Sequence, residues 1–226
     1  MTVVHVQLVP VVSGAAEDPL LVGRLGAGEW ERIRLLGFAA DRDRAVTARA
    51  AVRQELGHRL GVQPRLVPLT APEATGGRPV VRGTTIGVSW AHSGDWVALA
   101  LAGDRPVGVD IELVPVEVPL GALRRIGVSS LREFVAREAA GKVTGDGLCA
   151  RWPSEASVRA LEVPAGYLGA VAALGDDWTL DVQPWEPSEP PAFASAAATG
   201  LWDLTGIGSR RTVYAFDRRC ANLVAS

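Results

Sequence analysis

The run Trp96–Ala102 (WVALALA) carries no polar side chain. A strand with one wet face alternates apolar and polar residues. This one does not, so both of its faces must be covered. That requires a layered domain with the strand inside. Turn residues bracket the run: His92-Ser93-Gly94-Asp95 before it and Gly103-Asp104-Arg105-Pro106 after it. Ile86, Val88 and Trp90 alternate ahead of the first turn, and VGVDIEL (107–113) reads as the returning strand of a hairpin.

The rest of the chain supplies helices and further strands. Residues 2–12 alternate and are rich in valine, as a strand should be. A helix is expected over about 28–37, with Trp30, Ile33 and Leu36 on its apolar face. Asp41 reads as the N-cap of a longer helix ending near Leu60, with Gly61 as its stop. Ala45, Ala48, Val52 and Leu56 line its buried face. Residues 61–83 read as loop and 114–119 as a linker. Ser130 followed by Glu133 forms a capping box for a helix over about 131–143, which Gly145 ends. GYLGAVAALG (166–175) and WTLDVQPW (178–185) read as a second hairpin that echoes the first, and TVYAF (212–216) as a last strand. The echo suggests an α/β (α+β) chain made of two similar halves, residues 1–114 and 115–226.

Composition excludes several classes. Of the 226 residues, 48% are hydrophobic, too many for a disordered chain. The net charge of −2 gives no basic field for wrapping nucleic acid. No uncharged apolar run reaches the ~18 residues of a membrane span, and the first residues lack the pattern of a secretory signal. Cys149 and Cys220 make neither a disulfide scaffold nor a metal-ligand spacing, so a cytoplasmic protein is expected. The 23 basic residues include one lysine, Lys142. Arginine-rich coding explains the ratio but not the place of that lysine.

Asp110 and Glu112 lie two apart on a predicted strand, so both carboxylates face one way, and Gly108 on the same face leaves room beside them. Two close carboxylates in apolar surroundings need a cation, and Mg²⁺ suits oxygen ligands. A solvated edge strand would show the same spacing. The helix over 131–143 bears on the choice. With Leu131 at 0° and ~100° per residue, Phe134 falls at about 300°, Val135 at about 40°, Glu138 at about 340° and Lys142 at about 20°. The acid and the only lysine therefore lie inside the apolar stripe. An exposed i,i+4 pair is worth ~0.2–0.5 kcal/mol, but on a buried face ionisable groups need partners or a metal. Gly141 inside the helix costs about 1 kcal/mol relative to alanine, which points to a close backbone neighbour. His92, beside Ser93 and Gly94, could donate to a phosphate or simply serve the turn. Ser93 with His92 also admits a hydrolase, although the Gly-x-Ser-x-Gly elbow is absent. Arg78, Arg34, Arg49 and Arg53 could together hold an anionic ligand.

Four segments in order resemble the 4′-phosphopantetheinyl transferases of the surfactin type: GGRPVV (76–81), VSWAHSGDW (88–96), GVDIE (108–112), and FVAREAAGK with VTGDGL (134–148). The resemblance implies two α/β halves about a pseudo-two-fold axis, with coenzyme A (CoA) and Mg²⁺ in the cleft between them. It implies transfer of the phosphopantetheine arm from CoA to a serine of an acyl or peptidyl carrier protein, by a monomer acting without nucleic acid or membrane. By the same resemblance Asp110, Glu112 and Glu138 would hold Mg²⁺. His92 would contact the pyrophosphate, Arg78 a phosphate, and Arg34 and Thr47 the nucleotide end. Ser89, where the family has asparagine, would adjoin CoA. Lys142, also at the CoA, and Glu138 would help deprotonate the acceptor serine. Phe38 and Asp43 are compatible with the family's N-terminal helix. The sequence departs from the pattern at Ala91, where the family has serine, at Phe134 and Arg137, and in a segment from Glu112 to Glu138 that is about a dozen residues short. A CoA-binding homologue with altered chemistry is the alternative that these departures raise.

Overall fold

The computed structural model describes residues 1–70, 77–115, 120–147 and 155–185, and the fold below lies within one unit, Met1–Pro184. Gly76, Leu148, Cys149, Cys220 and the strand expected at 212–216 lie outside the described residues, as does most of a second unit, Trp185–Ser226.

The all-apolar run forms a strand, β5 (Trp96–Ala102), buried on both faces. It pairs antiparallel with β4 (Gly87–Ser93) on one side and with β1 (Thr2–Pro10) on the other. Strand β9 (Trp178–Pro184) runs parallel to β1, with Thr2 opposite Trp178, and completes the order β4-β5-β1-β9. A second sheet has the order β6-β8-β7, all antiparallel: β6 is Val107–Leu113, β7 Ala156–Leu161 and β8 Tyr167–Leu174. A short ribbon joins β2 (Leu69–Thr70) to β3 (Val80–Val81).

Both expected hairpins are corrected. Strand β6 does not return beside β5; it crosses to the second sheet and pairs with β8. Likewise β9 leaves β8 and joins the first sheet beside β1. The first crossing rests on Gly87: a Cβ there would stand 1.9 Å from the carbonyl oxygen of Arg105, so only glycine lets the 103–106 turn pass over the start of β4.

The sheets pack face to face. Val4, Val6, Ala98, Ala100 and Trp178 of the first sheet meet Val107, Val109, Ile111 and Val171 of the second in one core. The outer face of the first sheet, with Val88, Leu99 and Leu101, is covered by Val52 and Leu56 of α3 (Ala39–Leu60). The outer face of the second, with Ala170 and Ala172, is covered by Val135, Ala139, Ala140 and Val143 of α5 (Leu131–Thr144). Helix, sheet, sheet and helix thus form the layers that the run at 96–102 requires.

Helix ends refine the expectations. The α1 turn is Pro19–Val22, and α2 is only Glu29–Ile33, shorter than the apolar pattern suggested. Beyond Ile33 the chain tightens into i→i−3 bonds at Leu35 and Leu36, leaving Leu35 and Phe38 exposed. The N-cap of α3 is Phe38, not Asp41, while Gly61 ends it with φ +66° as expected. Asp43 accepts the N–H groups of Gly14 and Ala16, each at 3.0 Å, and so ties down the loop after β1. Helix α4 is Leu120–Arg125. Ser130 caps α5, its Oγ accepting the Glu133 N–H at 3.1 Å, and Glu133 reaches back to the Ser129 N–H and hydroxyl. The close neighbour anticipated at Gly141 is the backbone of Gly147, whose oxygen lies 2.6 Å from where a Cβ would stand.

Candidate active site

The site is built where α5 crosses β6. Gly108 makes the approach feasible: a Cβ there would lie 1.9 Å from the carbonyl oxygen of Ala139 and 3.0 Å from the Cβ of Lys142. With the helix this close, the Lys142 side chain lies along β6. Its Nζ donates to the Val109 carbonyl at 3.0 Å and to Asp110 Oδ1 at 2.8 Å. Glu138, one turn earlier, acts electrostatically on Lys142 and Glu112. The helical spacing thus places Lys142 on the inner face, as the stripe argument requires.

Charge around this lysine is unbalanced. Burial would lower the Lys142 pKa, but Asp110, Glu138 and Glu112 outweigh it and the net direction is upward, so the amine stays protonated. Asp110 does not behave as a simple ion-pair partner. Its side chain is 6% exposed against 28% for Lys142, and burial drives its carboxyl upward despite the ammonium beside it. The Glu112 carboxyl is pushed up to about 7, by burial first and the Asp110 charge second. Carboxylates outnumber the ammonium, and Asp110 Oδ2 is buried without a hydrogen-bond partner. Hard oxygen donors with surplus negative charge and one uncommitted buried oxygen fit a divalent cation such as Mg²⁺. Among the described residues no three His, Cys, Asp or Glu side chains are drawn into a ready metal set. Asp110 Oδ1 is committed to Lys142, and Glu112 Oε2 accepts the Ser93 hydroxyl at 2.8 Å.

His92 sits on β4 with its side chain turned away from the inward-facing Ala91 and Ser93. The ring reaches solvent, yet the surrounding protein, followed by the charges of Arg44, Lys142 and Arg49, pushes its pKa down to about 4. The ring is thus exposed at the surface yet ringed by the cations Arg44, Lys142 and Arg49. It is neutral at pH 7 and presents one N–H and one acceptor nitrogen.

The turn after His92 is clamped from several elements. Ser93 Oγ accepts the Leu113 N–H at 3.1 Å. Arg44 Nε donates to the Gly94 carbonyl at 2.8 Å and its Nη1 pairs with Asp41 at 2.6 Å. The Asp95 N–H donates to the Tyr167 hydroxyl at 3.0 Å. Sequence reasoning missed Arg44 and Tyr167. Helical spacing from Thr47 could have drawn attention to Arg44; nothing local marks Tyr167. Arg49 stacks 4.2 Å over the Trp90 ring and faces the buried Glu29, whose other oxygen takes Arg53 at 2.6 Å.

The remaining predicted residues take other places. Thr47 is 3% exposed and its hydroxyl accepts the Val12 N–H. Ser89 is buried and accepts the Val109 N–H at 3.1 Å. Arg34 is exposed at the end of α2 and pairs with Glu31 at 2.5 Å. Arg78 donates to the Val143 carbonyl near the end of α5 and borders a cleft of about 250 Å³ lined by Val81, Ile86 and Val107. The structure therefore gathers His92, Asp110, Glu112, Glu138 and Lys142. It commits the hydroxyls of Thr47 and Ser89 to backbone. Ala91 packs in the core between the sheets, so a serine there would point its hydroxyl to the opposite face of β4 from His92.

The chain is 35% identical over 130 residues to a protein described as "Phosphopantetheinyl transferase" from Thraustochytrium sp. (strain ATCC 26185 / S-3). The match covers 54% of this chain and 42% of that relative, so the chain spans less than half of the relative's length. The likeness supports the phosphopantetheinyl transferase superfamily to which the motifs point. No family model matches the chain. Among the described residues no helix is long and apolar enough to cross a membrane.

Proposed function

We propose that the protein is a cytosolic, monomeric phosphopantetheinyl transferase of the surfactin type, built as two similar α/β halves. It would move the 4′-phosphopantetheine arm of CoA to a serine of an acyl or peptidyl carrier protein. The observation that carries this reading is the only lysine of the chain, held at 2.8 Å from a buried aspartate and kept cationic by three carboxylates beside a neutral histidine. A hydrolase built on Ser93 and His92 does not fit, because Ser93 is engaged by Glu112 and the Leu113 N–H on one face of β4 while His92 lies on the other. A phosphoryl-transfer site does, because charge stabilisation dominates such chemistry.

In this reading Asp110, Glu112 and Glu138 would hold Mg²⁺, which would supply positive charge against the CoA pyrophosphate. Lys142, protonated, donates to a pyrophosphate oxygen and orients it. His92, neutral, donates its ring N–H to the same group. The serine oxygen forms a bond to the phosphorus that carries the pantetheine arm, and the bond from that phosphorus to the bridging oxygen breaks. Adenosine 3′,5′-bisphosphate leaves with the bond's electron pair. Because Lys142 already holds its proton, the serine proton passes to Glu138, directly or through water.

Intact mass spectrometry of apo carrier proteins incubated with the protein, CoA and Mg²⁺ tests this. The expected result is a gain of one phosphopantetheine arm on at least one carrier, abolished by chelator. No gain on any carrier, with CoA still raising the melting temperature, would replace transfer by a CoA-binding homologue of altered chemistry.

A further inference from the structure

Strands β4 and β6 are edges of different sheets, yet they run side by side in the same direction. Two hydroxyls four residues apart bridge them: Ser89 Oγ accepts the Val109 N–H and Ser93 Oγ accepts the Leu113 N–H, both at 3.1 Å. The hydroxyls stand in for the carbonyls of a missing neighbouring strand. At Ser93 the bridge does a second thing. One lone pair is occupied by the Leu113 N–H, so the single proton is free to turn to Glu112, whose Oε2 lies 2.8 Å away.

We infer that Ser93 is a positioning residue for the Glu112 carboxylate. By fixing Oε2 against the β4 edge, it would leave Oε1 available to a divalent cation. The inference rests on the proposed role of Glu112 as a metal ligand. Ser93 is 9% exposed, so solvent does not readily replace it. Partners that orient a ligating carboxylate typically change metal affinity 10–100-fold when removed.

The test is Mn²⁺ affinity by electron paramagnetic resonance in the presence of CoA, with the melting temperature of the metal-free protein measured alongside. Ser93→Ala should weaken Mn²⁺ binding about tenfold. Ser93→Thr, which keeps the hydroxyl, should restore most of the affinity. Ser93→Cys fills the same space with a weak S–H donor and should fall between, which keeps the test readable if the alanine variant folds poorly. A variant that melts lower but binds Mn²⁺ like wild type would make Ser93 a strand bridge only and overturn the inference. Wild-type protein that binds no Mn²⁺ with CoA present would instead remove the metal reading, and the inference with it.

Discussion

Gly108→Ala tests whether the helix that carries Lys142 really sits where its chemistry needs it. The added Cβ would stand 1.9 Å from the Ala139 carbonyl oxygen, while ordinary contact begins near 3.4 Å. Backbone lies on both sides, so α5 must withdraw locally by about 1.5 Å. The 2.8 Å bond from Lys142 to Asp110 would then open to about 4 Å, beyond hydrogen-bond reach. Overpacking of this kind costs about 1–3 kcal/mol. At roughly 2–4 °C per kcal/mol for a domain of this size, the melting temperature should fall by about 2–12 °C. Misplacing a reacting group by ~1 Å can cost ~10²-fold in rate, so turnover should drop far more than the modest loss of stability would suggest. Thermal melts, far-UV circular dichroism and carrier-modification rates on the same preparation provide the comparison. A folded variant with wild-type melting and wild-type turnover would refute both the close approach of α5 to β6 and its role in placing Lys142.

Three further outcomes are expected. Lys142→Ala should slow turnover by about 10²–10³-fold with a smaller change in CoA affinity; an equal loss in both would make Lys142 a ground-state binder. The Glu112 carboxyl is raised to about 7, so in metal-free protein its contribution to stability is present below about 4.5 and is lost as pH rises through 7, by at most about 3 kcal/mol before solvent screening. Glu112→Gln removes this loss. Denaturant melts should therefore show the variant gaining on wild type between pH 5 and pH 8, and a gap that does not move with pH would contradict the assignment. Ser130→Ala removes the cap of α5 and should cost about 1 kcal/mol by denaturant unfolding; no change would mean the Glu133 bonds to Ser129 suffice.

Local periodicity revealed what local geometry controls. A period of two put Asp110 and Glu112 on one face of β6, and a period of 3.6 turned Lys142 inward on α5. The same logic made 96–102 a strand covered on both sides. Pairing was not legible, because nothing within residues 96–113 says that β6 must leave its neighbour for a partner some sixty residues on. Hydroxyl roles were equally hidden. Thr47, Ser89 and Ser93 can bond a ligand or a backbone N–H with similar ease, and only distant chain segments decide which. The partner of Thr47 is Val12, and that of Ser89 is Val109. Tyr167 reaches Asp95 across the same kind of distance.

The exchange of strands between the sheets sets an order of events during synthesis. Strand β1 precedes the other described strands, but one of its edges waits for β9, and Val4 and Val6 share their core with Trp178. Strand β6, with Asp110 and Glu112, has no ladder partner until β8 is made. A nascent chain halted before residue 167 would expose two unpaired edges and hold its carboxylates on an unsupported strand. On the proposed reading, the site is therefore complete only once β8 has arrived. A ribosome releasing such fragments would release chains with exposed edges prone to pair with one another rather than half-assembled sites.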